Sequence, residues 1–170
     1  EFFADRLKVH LRERGVRHDL INAVFALGDE DDLVRLLARV EALNAFVASE
    51  DGANLLTAFR RANNIVEIEE KKKNVSYKGA VEFGLLVQGE EKALSEGLDI
   101  FADSAGELEE SEDYTGIMTE MAKLRPAVDA FFDKVTVNSD DADQRANRLR
   151  LLSRIRTTMG QIADFTLIEG

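Results

Sequence analysis

At 170 residues, 45% hydrophobic and 32% charged, the chain has the size and balance of one globular domain, able to bury roughly 70% of the surface its unfolded form exposes. It contains no cysteine, which excludes disulfides, thiolate metal sites and cysteine nucleophiles and suits a reducing cytoplasm, and no apolar run approaches the roughly 18 residues a membrane span needs. The net charge of −11 weighs against phosphate binding until it is located: residues 89–120 carry eleven acids and one base, whereas 1–88 carry fifteen and thirteen and 121–170 seven and eight. Outside that acidic segment the chain is near neutral and has local basic stretches. It opens on Glu1 rather than Met and enters a helical pattern at once, as expected of a piece of a longer protein.

The apolar spacing is helical almost throughout. Phe3, Leu7 and Leu11 recur at four-residue steps, and a short second helix is predicted over 19–27, with Asp19 as N-cap, Leu20, Val24 and Leu27 inward, and Gly28 as its stop. Leu33, Leu37, Val40, Leu43 and Val47 mark a third helix, and Leu55, Phe59, Ala62 and Val66 a fourth, with Gly15, Gly28 and Gly52 as punctuation. From Lys71 to Gly89 the period fades, which predicts a long loop carrying Lys71–Lys73. Leu94, Leu98 and Phe101, then Ile117, Met121 and Leu124, mark two more helices joined by an acidic link over Glu107–Asp113. Pro126 suits the first turn of a helix through Ala127–Val135, and Asn138-Ser139-Asp140 reads as the cap of a final helix over 141–164. There is no internal repeat.

Three basic stretches are candidates for phosphate contact. In the last helix Arg145, Arg148, Arg150, Arg154 and Arg156 occur with no acid among them. At about 100° per residue the buried stripe is Leu149, Leu152, Ile155, Met159 and Ile162, so Arg150 and Arg154 fall opposite it and face water or a partner, while Arg148 falls beside the stripe and reads as structural, paired with a carboxylate. The first helix and its turn hold Arg6, Lys8, Arg12, Arg14 and Arg17 with His10 and His18. His10 reads as packed at a helix boundary, and two histidines on different elements make a poor metal site. The third stretch is Arg60-Arg61 followed by Asn63-Asn64, where two mid-helix asparagines suggest hydrogen bonds to the backbone or to a ligand. The acidic run Asp29–Asp32 reads as a cap at the positive end of a helix rather than a cation site. No phosphate-cradling glycine loop, activated serine or His/Asp/Glu cluster is present, so the chain is read as non-catalytic and without a metal of its own.

Particular strings carry the reading further. Arg6-Leu7-Lys8-Val9, Gly15-Val16-Arg17-His18-Asp19-Leu20-Ile21, Phe59-Arg60-Arg61-Ala62-Asn63-Asn64-Ile65, Phe131 through Asn138, and Arg145 through Leu152 together resemble the C-terminal region of bacterial glycyl-tRNA synthetase β subunits. The resemblance spans nearly the whole chain and is weakest over 74–120. It implies a single all-α domain over 1–170, a bundle of about six to seven helices of the anticodon-binding type shared with arginyl-tRNA synthetases of class Ia. It also implies a variable loop over 71–89 and an acidic segment over 89–120. The implied role is tRNA binding in the cytoplasm, with tRNA(Gly), the α subunit and the rest of the β subunit as partners and neither DNA nor membrane involved. Catalysis would lie elsewhere, in an ATP-dependent glycine–tRNA ligase whose ATP and Mg²⁺ are not held here. On this reading Arg60, Arg61, Arg150 and Arg154 are the expected phosphate contacts, and Asn64, Lys134 and Asn138 candidates for base or sugar. Phe131 and Phe132 are read as core. The alternative is a helical module that docks onto other parts of the synthetase without reading RNA, which the acidic segment would favour.

Overall fold

The computed structural model describes residues 2–28 and 32–169. Asp29, Glu30 and Asp31 of the expected acidic cap lie outside that range. The described residues form eight α-helices and no strand: α1 (Phe2–Glu13), α2 (His18–Phe25), α3 (Leu33–Ala48), α4 (Glu50–Lys73), α5 (Gly89–Glu110), α6 (Tyr114–Ala122), α7 (Arg125–Lys134) and α8 (Ala142–Gly160), with 3-10 turns at Phe83–Leu85 and Phe165–Leu167. The all-α class expected from the apolar period is what the chain adopts, with the short α2 and α6 as separate elements. None of these helices is long and apolar enough to cross a membrane.

Local chemistry sets most of the helix ends. Asp32 Oδ1 accepts from the amides of Val34 (2.9 Å) and Arg35 (3.2 Å) to start α3, Asp113 Oδ1 accepts from Gly116 (2.9 Å) to start α6, and Asp141 Oδ1 accepts from Asp143 (2.9 Å) and Gln144 (3.0 Å) to start α8. The cap of α8 is therefore Asp141 and not Asn138-Ser139-Asp140: the carboxylate nearest the first turn takes the free amides, and Asn138 is left exposed before it. Asp19 likewise is not the cap of α2, which begins one residue earlier at His18. Gly15 (φ +80°) and Gly28 (φ +64°) are true stops, but Gly52 lies inside α4. A Cβ there would sit 1.7 Å from the Phe46 carbonyl, so this glycine permits α4 to start directly against the end of α3.

Two expected links begin inside the preceding helix, while 74–88 and 111–113 stay outside the α-helices. Lys71–Lys73 form the last turn of α4, where cations meet the negative end of the helix dipole, and Asn74 (φ 54°) closes it in the left-handed region. Glu107–Glu110 similarly continue α5, because exposed acids need no apolar period to stay helical. The final helix stops at Gly160 rather than 164, since Ala163, Phe165 and Ile168 turn back into the core.

One core runs through the bundle, and α8 is its axis. Asn147, Arg148, Leu149, Leu151, Leu152, Ser153, Ile155 and Met159 of that helix are all buried, against α4 on one side and α5 on the other. The chain after α8 closes the bundle: Asp164 N donates to Ala23 O (2.8 Å), Glu169 N to Asp19 Oδ2 (2.8 Å), and the Phe165 ring packs 5.6 Å from that of Phe59.

Within this core lies an ion pair. Arg148 Nε donates to Glu91 Oε1 at 2.8 Å with the Glu91 side chain fully buried, and the same guanidinium donates to Thr136 O (2.7 Å) and Gln88 Oε1 (3.2 Å). The other Glu91 oxygen accepts from the amides of Gln88 (2.7 Å) and Val87 (3.0 Å) at the start of α5. Burial pushes the Glu91 carboxyl up, but Arg148 and the two amides outweigh it and hold it below the ordinary glutamate range. Removing one partner strands a buried charge, so Arg148→Met or Glu91→Gln is expected to cost about 3–5 kcal/mol in denaturant unfolding, with the Arg148→Met/Glu91→Leu double variant recovering much of it. Because the folded pKa is depressed, the contribution of Glu91 is full above the ordinary glutamate pKa and lost as pH falls through the lower folded value. Acid unfolding of the double variant should therefore be shallower than that of the parent.

Candidate nucleic-acid interface

The expected contact residues separate into three groups once α8 is seen to be central. Arg60 is half-buried, and its guanidinium donates to the Ile168 carbonyl, fastening the C-terminal segment to α4. That bond gives it an internal role the sequence pattern could not show, since its partner lies 108 residues away.

Arg150 and Arg154 do fall opposite the apolar stripe, but that side of α8 is covered too. Arg150 Nη1 lies 3.5 Å from Glu82 Oε1; Arg154 pairs with Asp99 and donates to Ser95 O at 3.3 Å. Both keep 28% of their side-chain surface, where the helical wheel predicts solvated arginines. They form one wall of a groove of about 440 Å³ between α8, α5 and the 77–83 segment. Arg148 takes the buried, carboxylate-paired role expected of it.

The third group is open. Counting around α4 from its buried stripe of Leu55, Phe59, Ala62 and Val66, the residues Arg61, Asn64, Ile68 and Lys72 fall on the opposite face, and all four are exposed. Neither Asn63 nor Asn64 makes a side-chain hydrogen bond within the described residues. Arg61 lies over the Phe132 ring, 4.6 Å from its centroid, in a hollow of about 420 Å³ shared with Asn54, Thr57 and Asp129. A second, more apolar hollow of about 220 Å³ lies between Ile65 and Glu69 of α4 and Val137, Asn138, Arg145 and Leu149. Lys134, the last residue of α7, and Asn138, on the segment after it, are exposed, and among the described residues Lys134 pairs only with its neighbour Asp133 (3.4 Å). Phe131 is core, as expected, whereas Phe132 is half-buried and serves as the floor under Arg61.

Four of the seven expected residues thus share one surface. Sequence reasoning singled out neither Ile68 nor Phe83, and named Arg145 only as part of the basic stretch of the last helix. Ile68 was findable, because an isoleucine facing away from its own helix's apolar stripe is out of phase; it is 63% exposed. The N-terminal basic stretch is less available than its composition suggests: Arg6 lies over Phe2, Lys8 over Phe25, and Arg17 holds Asp19 and the Glu169 carbonyl. His10 is exposed rather than packed at a boundary, and among the described residues no three His, Asp or Glu side chains converge to hold a metal ion.

The segment between α4 and α5 has little regular structure, yet it is held firmly. Buried Asn147 receives the Glu82 amide at 2.8 Å and donates to the Glu82 carbonyl at 3.0 Å, so one side chain satisfies both main-chain groups of that residue. Glu70 receives the Tyr77 amide (3.1 Å) and pairs with Arg156 (3.2 Å). Burial raises its carboxyl, but these two partners bring it below the usual range.

An all-helical domain with a central basic helix and an exposed cationic, amide-bearing face is the class defined by this geometry, and the chain belongs to the family of DALR anticodon binding domains, whose model matches residues 55–169. Over 99% of its length it is 63% identical to the glycine–tRNA ligase beta subunit of Rhodospirillum centenum, covering 24% of that protein. Over its full length it is 54% identical to the beta subunit of Phenylobacterium zucineum, covering 25%, and it is 46% identical to that of Cereibacter sphaeroides. The chain spans about a quarter of the length of these relatives.

Asn147→Ala should leave both Glu82 main-chain groups without their partner at a cost of about 1–3 kcal/mol. The looser segment should then be cut by trypsin after Lys78 at lower protease concentration than in the parent.

Proposed function

We propose that this domain binds tRNA(Gly) at the anticodon arm, as part of a cytoplasmic glycyl-tRNA synthetase β subunit, and catalyses nothing itself. The observation that carries the reading is the exposed surface of α4 and the α7–α8 segment in a chain of this family: Arg61, Asn64, Lys134 and Asn138 stand together there, and none is consumed by a bond that holds the bundle. Arginine and lysine suit phosphate oxygens. The asparagines, each with two donors and an acceptor, suit base edges in an unstacked loop.

Glycine activation with ATP and Mg²⁺ would belong to other parts of the enzyme, with the α subunit and the rest of the β subunit as protein partners. The acids of α5, among them Glu96, Asp103, Glu107 and Glu110, repel phosphate and would keep the RNA off the outer face of that helix.

Binding of tRNA(Gly) and of an anticodon-substituted version, measured by anisotropy at two salt concentrations, tests this. With four or five phosphates engaged, threefold more salt should weaken binding by about 20- to 100-fold, and substituting the anticodon should weaken it further. Arg61→Glu and Lys134→Glu should each lower the salt slope by about one without moving Tm. Arg60→Met should do the reverse, lowering Tm because it releases the C-terminal segment. Equal affinity for both tRNAs and an unchanged slope in the two reversal variants would refute the reading.

A further inference from the structure

Phe83 is 77% exposed, the most exposed large apolar side chain of the domain together with Val34. A single exposed phenylalanine is unremarkable on a mobile loop. This one sits on a 3-10 turn whose preceding residue, Glu82, is clamped at both main-chain groups by fully buried Asn147. A segment without helix or strand is thereby fixed by the central helix, and what it holds in place is an aromatic ring facing solvent.

The ring borders the groove of about 440 Å³ whose other walls carry Tyr77, Lys78, Arg150 and Arg154. Lys78 is exposed and has no ion-pair partner among the described residues. Arg154 is also held by the Ser95 carbonyl, and the counter-charges of both arginines are exposed: Glu82 and Asp99 retain 63% and 66% of their side-chain surface, so either carboxylate can swing into water at small cost. An incoming phosphate can therefore replace both carboxylates. Of the α5 acids, Asp99 alone lines the groove.

We propose that this groove takes one unpaired nucleotide of the bound RNA, with its base stacked on Phe83 and its phosphate between Lys78, Arg150 and Arg154. The inference rests on the tRNA-binding reading above and adds a second contact region to it. Exposed Lys71, Lys72 and Lys73 lie at the end of α4 that leads from Arg61 and Asn64 toward Lys78. Arg145 beside Asn138 and Arg150 in the groove lie five residues apart on α8, so the two regions are near one another. Stacking is tolerant of base identity, so the site would add affinity and direction of approach more than sequence choice.

The 170-residue chain has no tryptophan, which gives Phe83→Trp a single reporter at the site. Titration with tRNA(Gly) should quench its emission, saturating at the concentration at which anisotropy saturates. Phe83→Ala should weaken tRNA binding by about 5- to 100-fold, with Phe83→Tyr close to the parent, and Lys78→Glu should lower the salt slope by about one. Circular-dichroism melts of these surface variants should match the parent. If Phe83→Trp stays unquenched and Phe83→Ala binds like the parent while Arg61→Glu still weakens binding, the groove is not an RNA site and the tRNA reading stands. If the parent chain binds no tRNA, both fall. If Phe83→Ala leaves tRNA binding intact but abolishes association with the synthetase's other subunit in the absence of RNA, the ring is a protein contact and the inference is overturned.

Discussion

The buried pair of Arg148 and Glu91 is the interaction on which the arrangement of this domain depends. Two charges taken out of water are tolerated only when every donor and acceptor around them is used, and here the guanidinium reaches α5, the residue before α5 and the segment after α7 at once. The same glutamate completes the first turn of α5 by receiving two amides. Three separate parts of the chain are thereby indexed to one position on α8. The pair is better understood as fixing geometry than as adding net stability, since an apolar replacement of similar volume would pack at comparable free energy.

Neighbouring positions of α8 repeat the arrangement. Asn147 holds Glu82, Arg148 holds α5, Ser153 and Arg156 meet near Glu70, and Glu70 in turn receives the amide of Tyr77. Two buried polar residues of this central helix anchor segments with little regular structure of their own, Asn147 at Glu82 and Arg148 at Thr136. The 74–88 connection is ordered for this reason, although its sequence has neither helical nor strand periodicity.

The arginines divide by what they touch. Arg39, Arg60 and Arg148 donate to carbonyls or carboxylates that hold the C-terminal segment and α5 in place. Arg61 lies on an aromatic ring at the surface, and Arg150 and Arg154 stand behind exposed carboxylates that can be displaced. Net charge conveys none of this. Much of the net negative charge lies on α5, whereas Arg61, Lys72 and Lys134 stand exposed on α4 and α7.

The amino-acid sequence by itself determined the helical class, the buried stripes of α4 and α5, the proline-started α7 and the structural assignment of Arg148, because apolar period and the cost of burying a charge are properties of local spacing; in α3 the expected Leu33, Leu37 and Val47 are only partly buried, and Leu36 and Phe46 take the core instead. The strings around Arg61, Lys134 and Arg148 were enough to bring out the family. Only the tertiary structure decided that Arg60 serves the C-terminal segment, that Arg150 and Arg154 line a groove, and that Phe83 is held out to solvent. The physical reason is the same in each case. A helical wheel gives the direction of a side chain relative to its own helix, whereas its partner is set by which other elements cover that face. For α8 those elements include residues 57 to 86 positions distant in the chain.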